Sequence, residues 1–100
     1  MATPITKLFM GRPTEAWYQL SKDEQAALLG KVTAAREQVG GKGVVLCDSS
    51  WSSEEWPVFG VEEFPNIEAV QQHAALLREL NWYHYLESRT LLGTAWAPTV

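Results

Sequence analysis

The sequence predicts an α+β domain: a β-α-β-β-α-β sandwich with two helices on one face of a four-stranded antiparallel sheet. Three observations predict it. Residues 22–39 and 67–80 repeat apolar side chains at steps of three and four, the period of a helix that buries one face. Four shorter stretches rich in β-branched and aromatic residues lie before, between and after them, and glycine, proline or asparagine punctuates the joins. With 100 residues there is material for one core, so residues 1–100 form a single domain, with 93–100 as an extended tail.

The first strand covers Pro4 to Met10 and stops at Gly11-Arg12-Pro13, which leaves Trp17 and Tyr18 in the connection. Ser21 and Glu24 have the spacing of a capping box, so a helix starts at Lys22. Leu28, Val32, Ala35 and Val39 form its buried stripe, which Leu29 widens, and Gly40-Gly41 offers the positive φ that ends a helix. Val44 to Cys47 is the second strand. Asp48 to Glu55 is a polar loop interrupted only by Trp51, and Trp56 to Phe64 is the third strand, with Pro57 near its start, where a missing N–H is tolerated. Asn66 caps a second helix, Ile67 to Leu80, whose stripe is Ile67, Val70, Ala74, Leu77 and Leu80, and Asn81 closes it. Trp82 to Leu92 reads as the fourth strand, ended by Gly93.

Composition removes several classes of function. A net charge of −4, a pI near 5 and the lack of any basic run argue against nucleic acid or an anionic membrane as partner. Apolar runs are only a few residues long and the first residues lack a secretory pattern, so the expectation is a cytoplasmic protein with no membrane partner. Cys47 is the sole cysteine, which rules out an intrachain disulfide and reads as a buried, inert strand thiol. No HExxH, CxxC or EF-hand spacing occurs and the two histidines are eleven residues apart, so no metal is expected. Gly40-Gly41-Lys42-Gly43 follows a helix, whereas a phosphate cradle precedes one. Eleven aromatic residues, five of them tryptophan, need a sink in a core, pocket or interface. The sheet face without helices needs a cover, and a second copy of the chain supplies it, which predicts a homodimer.

Within this frame the candidate site residues are few. His73 follows Val70 by three and precedes Leu77 by four, so it faces the sheet; it is either a core histidine satisfied by one hydrogen bond or a general acid or base in a pocket. On a strand, Trp82 and His84 point one way and Tyr83, Tyr85, Glu87 and Arg89 the other, either as core and interface or as the walls of an apolar cleft. Glu87 and Arg89 share a face and can pair with each other or across a two-fold axis. Asp48 either belongs to a turn or places a carboxylate at a pocket mouth, over which Trp51 and Trp17-Tyr18 are lids or plugs. The functional set is therefore His73, Tyr85 and Asp48 as catalytic residues, with His84, Trp51, Trp82 and Tyr83 binding substrate.

The element order of residues 4–96, and the stretch from Glu63-Phe64 through Ala69, His73 and Leu80 to Trp82-Tyr83-His84-Tyr85, resemble the dimeric α+β barrel proteins of ferredoxin-like fold. That class includes cofactor-independent monooxygenases, polyketide cyclases and haem-degrading enzymes. The resemblance implies two sheets packed face to face and a histidine near position 73 that moves a proton. It points to a small enzyme without metal or nucleotide cofactor, acting on a small hydrophobic or aromatic molecule in a cleft between helices and sheet. Lyase, isomerase, cyclase and cofactor-independent monooxygenase chemistry all fall within it. The alternative is a non-catalytic small-molecule-binding or purely structural dimeric module. No cofactor is expected, although haem held by an axial histidine stays open.

Overall fold

The structure, a computed structural model, describes residues 3–97; the end of the expected tail, residues 98–100, lies outside the described residues. The elements are β1 (Ile5–Pro13), α1 (Glu15–Gln19), α2 (Lys22–Gln38), β2 (Lys42–Asp48), β3 (Val58–Phe64), α3 (Ile67–Glu79), α4 (Trp82–Tyr85) and β4 (Leu86–Gly93). All strand pairings are antiparallel, in the order β2-β3-β1-β4. This is the ferredoxin-like α+β fold, with α1 and α4 as short additions to the two long helices.

Both long helices start where the sequence places them. Ser21 Oγ accepts the Glu24 N–H at 3.1 Å while the Glu24 carboxylate accepts the Ser21 N–H at 2.9 Å, completing the capping box. Asn66 Oδ1 accepts the Ala69 N–H at 2.8 Å. Gly40, at φ 80°, turns the chain out of α2. The core gathers at this end of the molecule: Val39, Phe64, Ala69 and Val70 are buried together, with Ile5 and Leu76 packed on them. Phe64, 1% exposed, thus pins the end of α2 and the start of α3 to the sheet.

Several boundaries differ from the sequence reading. β2 runs Lys42–Asp48, two residues earlier at its start and one later at its end, which takes Asp48 out of the loop. β1 continues through Gly11-Arg12-Pro13, because Pro13 lies beyond the last β3 partner and leaves no gap in that ladder. β3 starts at Val58, with Trp56 and Pro57 still in the loop. Trp82 to Tyr85 form one helical turn instead of the start of a strand. Their strand propensity is overridden by contacts: Asn81 adopts a left-handed conformation (φ 57°), and Thr14 donates its hydroxyl to the His84 carbonyl at 2.7 Å and its N–H to the Tyr85 carbonyl at 3.0 Å. The strand alternation expected for Trp82, Tyr83, His84 and Tyr85 therefore does not hold.

From Leu86 onward the alternation does hold. Glu87 faces Arg12, its register partner on β1, and accepts a hydrogen bond from it at 2.6 Å; it does not pair with Arg89. Register and parity place Lys7, Phe9, Gly60, Glu62, Phe64 and Leu86 under the helices. Leu8, Met10, Val45, Phe59, Val61 and Leu91 occupy the opposite face. Cα extents of 49 × 32 × 16 Å leave room for one sheet and one helix layer, so that second face is uncovered among the described residues. Cys47 lies there and is half-buried, not the fully buried thiol expected.

Candidate functional site

At the end of the molecule away from Phe64, α2 stands off the sheet and leaves a cleft of about 510 Å³. Leu29, Val32 and Thr33 of α2 form one wall, and Phe9, Val58 and Leu86 of the sheet form the other. Trp17, Trp82 and Tyr85 close one end, with Trp17 and Trp82 edge to face at 6.0 Å between centroids. Val44 and Leu46, on the edge strand β2, line the mouth. Gly60 shapes the floor: a Cβ there would come within 2.6 Å of the Phe9 ring, so the glycine lets that ring lie across β3.

Charged groups occupy the inner end. Glu62, buried, accepts a hydrogen bond from Arg36 Nη1 at 3.4 Å and has Lys7 Nζ at 3.9 Å. Gly41 and Gly43 seat the arginine, since a Cβ on either would come within 2.8 Å of its side chain. A bulge between Gly43 and Val45 accompanies that seat. Lys7 is pushed below its ordinary pKa by burial, against the pull of Glu62.

His73 lies behind this cluster, 2% exposed, with its ring 5.0 Å from that of Phe64. Neither ring nitrogen has a hydrogen-bond partner among the described residues. Burial, reinforced by the charges of Lys7 and Arg36, lowers its pKa to about 4, so the imidazole is neutral at physiological pH. It opens on a second space of about 80 Å³ that shares Phe9, Val32, Glu62, Trp82 and Leu86 with the large cleft.

The expected site residues separate into two groups. Trp82 and Tyr85 line the large cleft, and His73 and Tyr83 line the smaller space, where burial raises the Tyr83 phenol above its ordinary pKa. His84 lines neither space; its ring packs on Tyr85 at 5.0 Å. Asp48 is exposed outside the cleft, its carboxylate accepting the N–H and hydroxyl of Ser50 at 2.9 and 2.6 Å, which lowers its pKa. Trp51 is 84% exposed and lines neither space. Of the two proposed lids in the earlier connection, Trp17 lines the cleft and Tyr18 is exposed.

Lys7, Arg36 and Glu62 were not among the candidates. Their signal is parity: Lys7 alternates with Ile5 and Phe9, and Glu62 with Phe64 and Gly60, so each places a charge where the strand faces the helices.

A family model described as "Family of unknown function (DUF6616)" matches residues 6–100. The chain belongs to DUF6616. No curated protein matches its sequence. Among solved structures, the DUF6616 chain is similar to a mutant chlorite dismutase from Candidatus Nitrospira defluvii, at TM-score 0.75 and 14% identity. That match covers 98% of this chain but 42% of the other, so the DUF6616 chain spans less than half of the dismutase. It is also similar to RPA0582 of Rhodopseudomonas palustris, a protein of unknown function, at TM-score 0.67 and 20% identity, covering 98% of this chain and 86% of that one. A methylated form of RPA0582 gives TM-score 0.69 and 19% identity, with 98% and 84% covered. These likenesses establish the fold.

Because the resembled class includes haem-degrading enzymes, the residues of the DUF6616 chain can be tested against that group. An axial histidine needs space for a macrocycle beside one of its nitrogens. The space at His73 is only about 80 Å³, and Glu62, Phe9 and Val32 stand at its border with the large cleft, which leaves no slot for a macrocycle beside the imidazole. The surroundings of His73 do not fit haem. Among the described residues no three His, Cys, Asp or Glu side chains are grouped to hold a metal ion.

Proposed function

We propose that this DUF6616 protein is a homodimer that binds a small hydrophobic or aromatic molecule in the cleft between α2 and the sheet. The observation that carries the reading is the cleft itself. A volume of about 510 Å³ with mainly apolar walls and a few convergent polar groups has the dimensions and chemistry of a small-molecule site. What supports the dimer is the second sheet face, where Val45 and Leu91 are 46% and 70% exposed beside Leu8, Met10, Phe59 and Val61. Native mass spectrometry of the protein purified from its own host tests both parts. The expected spectrum is a dimer carrying a defined small-molecule mass that the cleft-filling variant Val32→Trp no longer retains. Equal retention by Val32→Trp would place the ligand elsewhere, and a monomer would refute the sheet-to-sheet pairing.

His73 favours a second, catalytic reading, an enzyme without metal or nucleotide cofactor. A buried imidazole with no partner destabilises the fold, and such groups concentrate at functional sites. With a pKa near 4 it is a weak base, suited to donating or accepting a hydrogen bond at a carbonyl, as lyase, isomerase or cyclase chemistry requires. Tyr85 is the phenol available to orient substrate in the large cleft; Asp48 takes no part in this reading. Unchanged turnover of an identified substrate by His73→Ala would exclude the histidine.

A further inference from the structure

We infer that the molecule bound in the cleft carries a carboxylate, with Arg36 as its anchor; this rests on the cleft reading above and specifies the ligand's polar end. The argument begins with charge. Arg36 and Glu62 line the cleft, and Lys7 stands behind Glu62. Both cations are paired to the one carboxylate, Glu62, so two positive charges face one negative charge in a partly buried setting. His73 adds no charge when neutral. An uncompensated cation away from bulk water is costly, and an anion brought by a ligand removes the imbalance.

Hydrogen-bonding capacity points the same way. A guanidinium has five N–H donors in a planar fork matched to a carboxylate. Among the described residues Arg36 makes one hydrogen bond to a carboxylate, a long one at 3.4 Å from Nη1, and its buried Nε has no partner there. The seat formed by Gly41 and Gly43 holds the side chain against the strand, so its donors are placed before a ligand arrives. The walls beyond Arg36 are Leu29, Val32, Phe9 and Leu86, which suit a hydrocarbon or aromatic body.

A matched pair of probes tests this on the intact protein by calorimetry: 2-naphthoate, and 2-acetonaphthone, which replaces the carboxylate with a neutral acetyl group on the same rings. The expected result is at least ten-fold tighter binding of naphthoate. Arg36→Met should abolish that preference by weakening naphthoate alone, and Glu62→Gln should widen it by removing the competing carboxylate. Unchanged ketone affinity in each variant, with an unchanged far-UV spectrum, shows that the cleft is intact. Equal affinity of the two probes for the unaltered protein, or a preference that survives Arg36→Met, would overturn the carboxylate inference while leaving the cleft reading standing. If neither probe binds, the cleft reading falls and the inference with it.

Discussion

The stability of the protein should fall as pH drops from about 6.5 to about 4, and His73 should be one identifiable cause. In the unfolded chain the imidazole titrates near 6.5, whereas in the folded chain burial and the charges of Lys7 and Arg36 hold it near 4. The folded pKa is the lower one, so between these values the unfolded state binds more protons. The contribution is neutral above the unfolded pKa and is lost as pH falls toward the folded one. With the two values applied at about pH 7.5 and about pH 4.5, linkage gives a loss of about 2 to 3 kcal/mol from this side chain alone. Urea unfolding of the unaltered protein and of His73→Leu across that range isolates it, because the carboxylates titrate in both. The leucine variant should show a shallower pH dependence by that amount. At about pH 7.5 it should be as stable as the unaltered protein or more so, because it removes two unpartnered nitrogens, each a desolvation cost of about 1 to 3 kcal/mol. Loss of the ring contact with Phe64 offsets part of that gain. Parallel pH curves for the two proteins would refute the account of His73. So would a loss above about 2 kcal/mol at neutral pH, which would mean that the imidazole makes a hydrogen bond the fold depends on.

Three further outcomes follow from particular contacts. Gly60→Ala places a methyl within 2.6 Å of the Phe9 ring and tilts it into the cleft, so affinity for 2-acetonaphthone should drop about ten-fold or more by calorimetry, while stability changes by about 1 kcal/mol or less. Phe64→Ala removes the side chain shared by both long helices and should cost about 3 to 5 kcal/mol in urea unfolding. Leu91→Asp adds a charge where a single chain is 70% exposed, so it should leave the monomer fold intact and raise the dimer dissociation constant at least ten-fold by sedimentation.

Much of the fold was legible because its signals are local. The capping box at Ser21 and Glu24, the Asn66 cap and the Gly40 exit act within a few residues of themselves and each appears in the structure, while the apolar stripes appear in part: Ala35, Val39, Val70 and Leu77 are buried, but Leu29 and Ile67 are exposed. The Trp82 to Tyr85 turn was not legible, since its helical form depends on Thr14, seventy residues away from His84 in sequence. The candidate site divides along the same line. His73 was placed on the sheet-facing side of its helix by spacing, and the structure buries it there. His84 rests on a strand alternation that the helical turn of Trp82–Tyr85 replaces, and for Asp48 and Trp51 neither residue type nor neighbours in sequence determine which way a strand end or a loop presents a side chain. Arg36 was passed over because it falls near the exposed edge of the α2 stripe. Only the return of β2 past Gly41 and Gly43 brings it to the cleft.

The same charged cluster explains why the cleft stays open. At the Phe64 end α2 lies close to the sheet, yet its preceding turns carry Leu28, Leu29 and Val32, which are apolar and only partly covered. Left to apolar attraction these residues would close onto Phe9, Val58 and Leu86. Arg36 stands between the packed end and the open end, one turn before the buried Val39, with Glu62 and Lys7 beneath it. Bringing the next turns of α2 onto the sheet would strip the remaining water from three charges joined by one 3.4 Å and one 3.9 Å contact. Ion pairs of such loose geometry do not recover that desolvation. The cluster therefore props the helix at the height the cleft requires. The inferred hydrophobic carboxylate would meet both features of the cleft, its apolar walls and the surplus positive charge at its inner end.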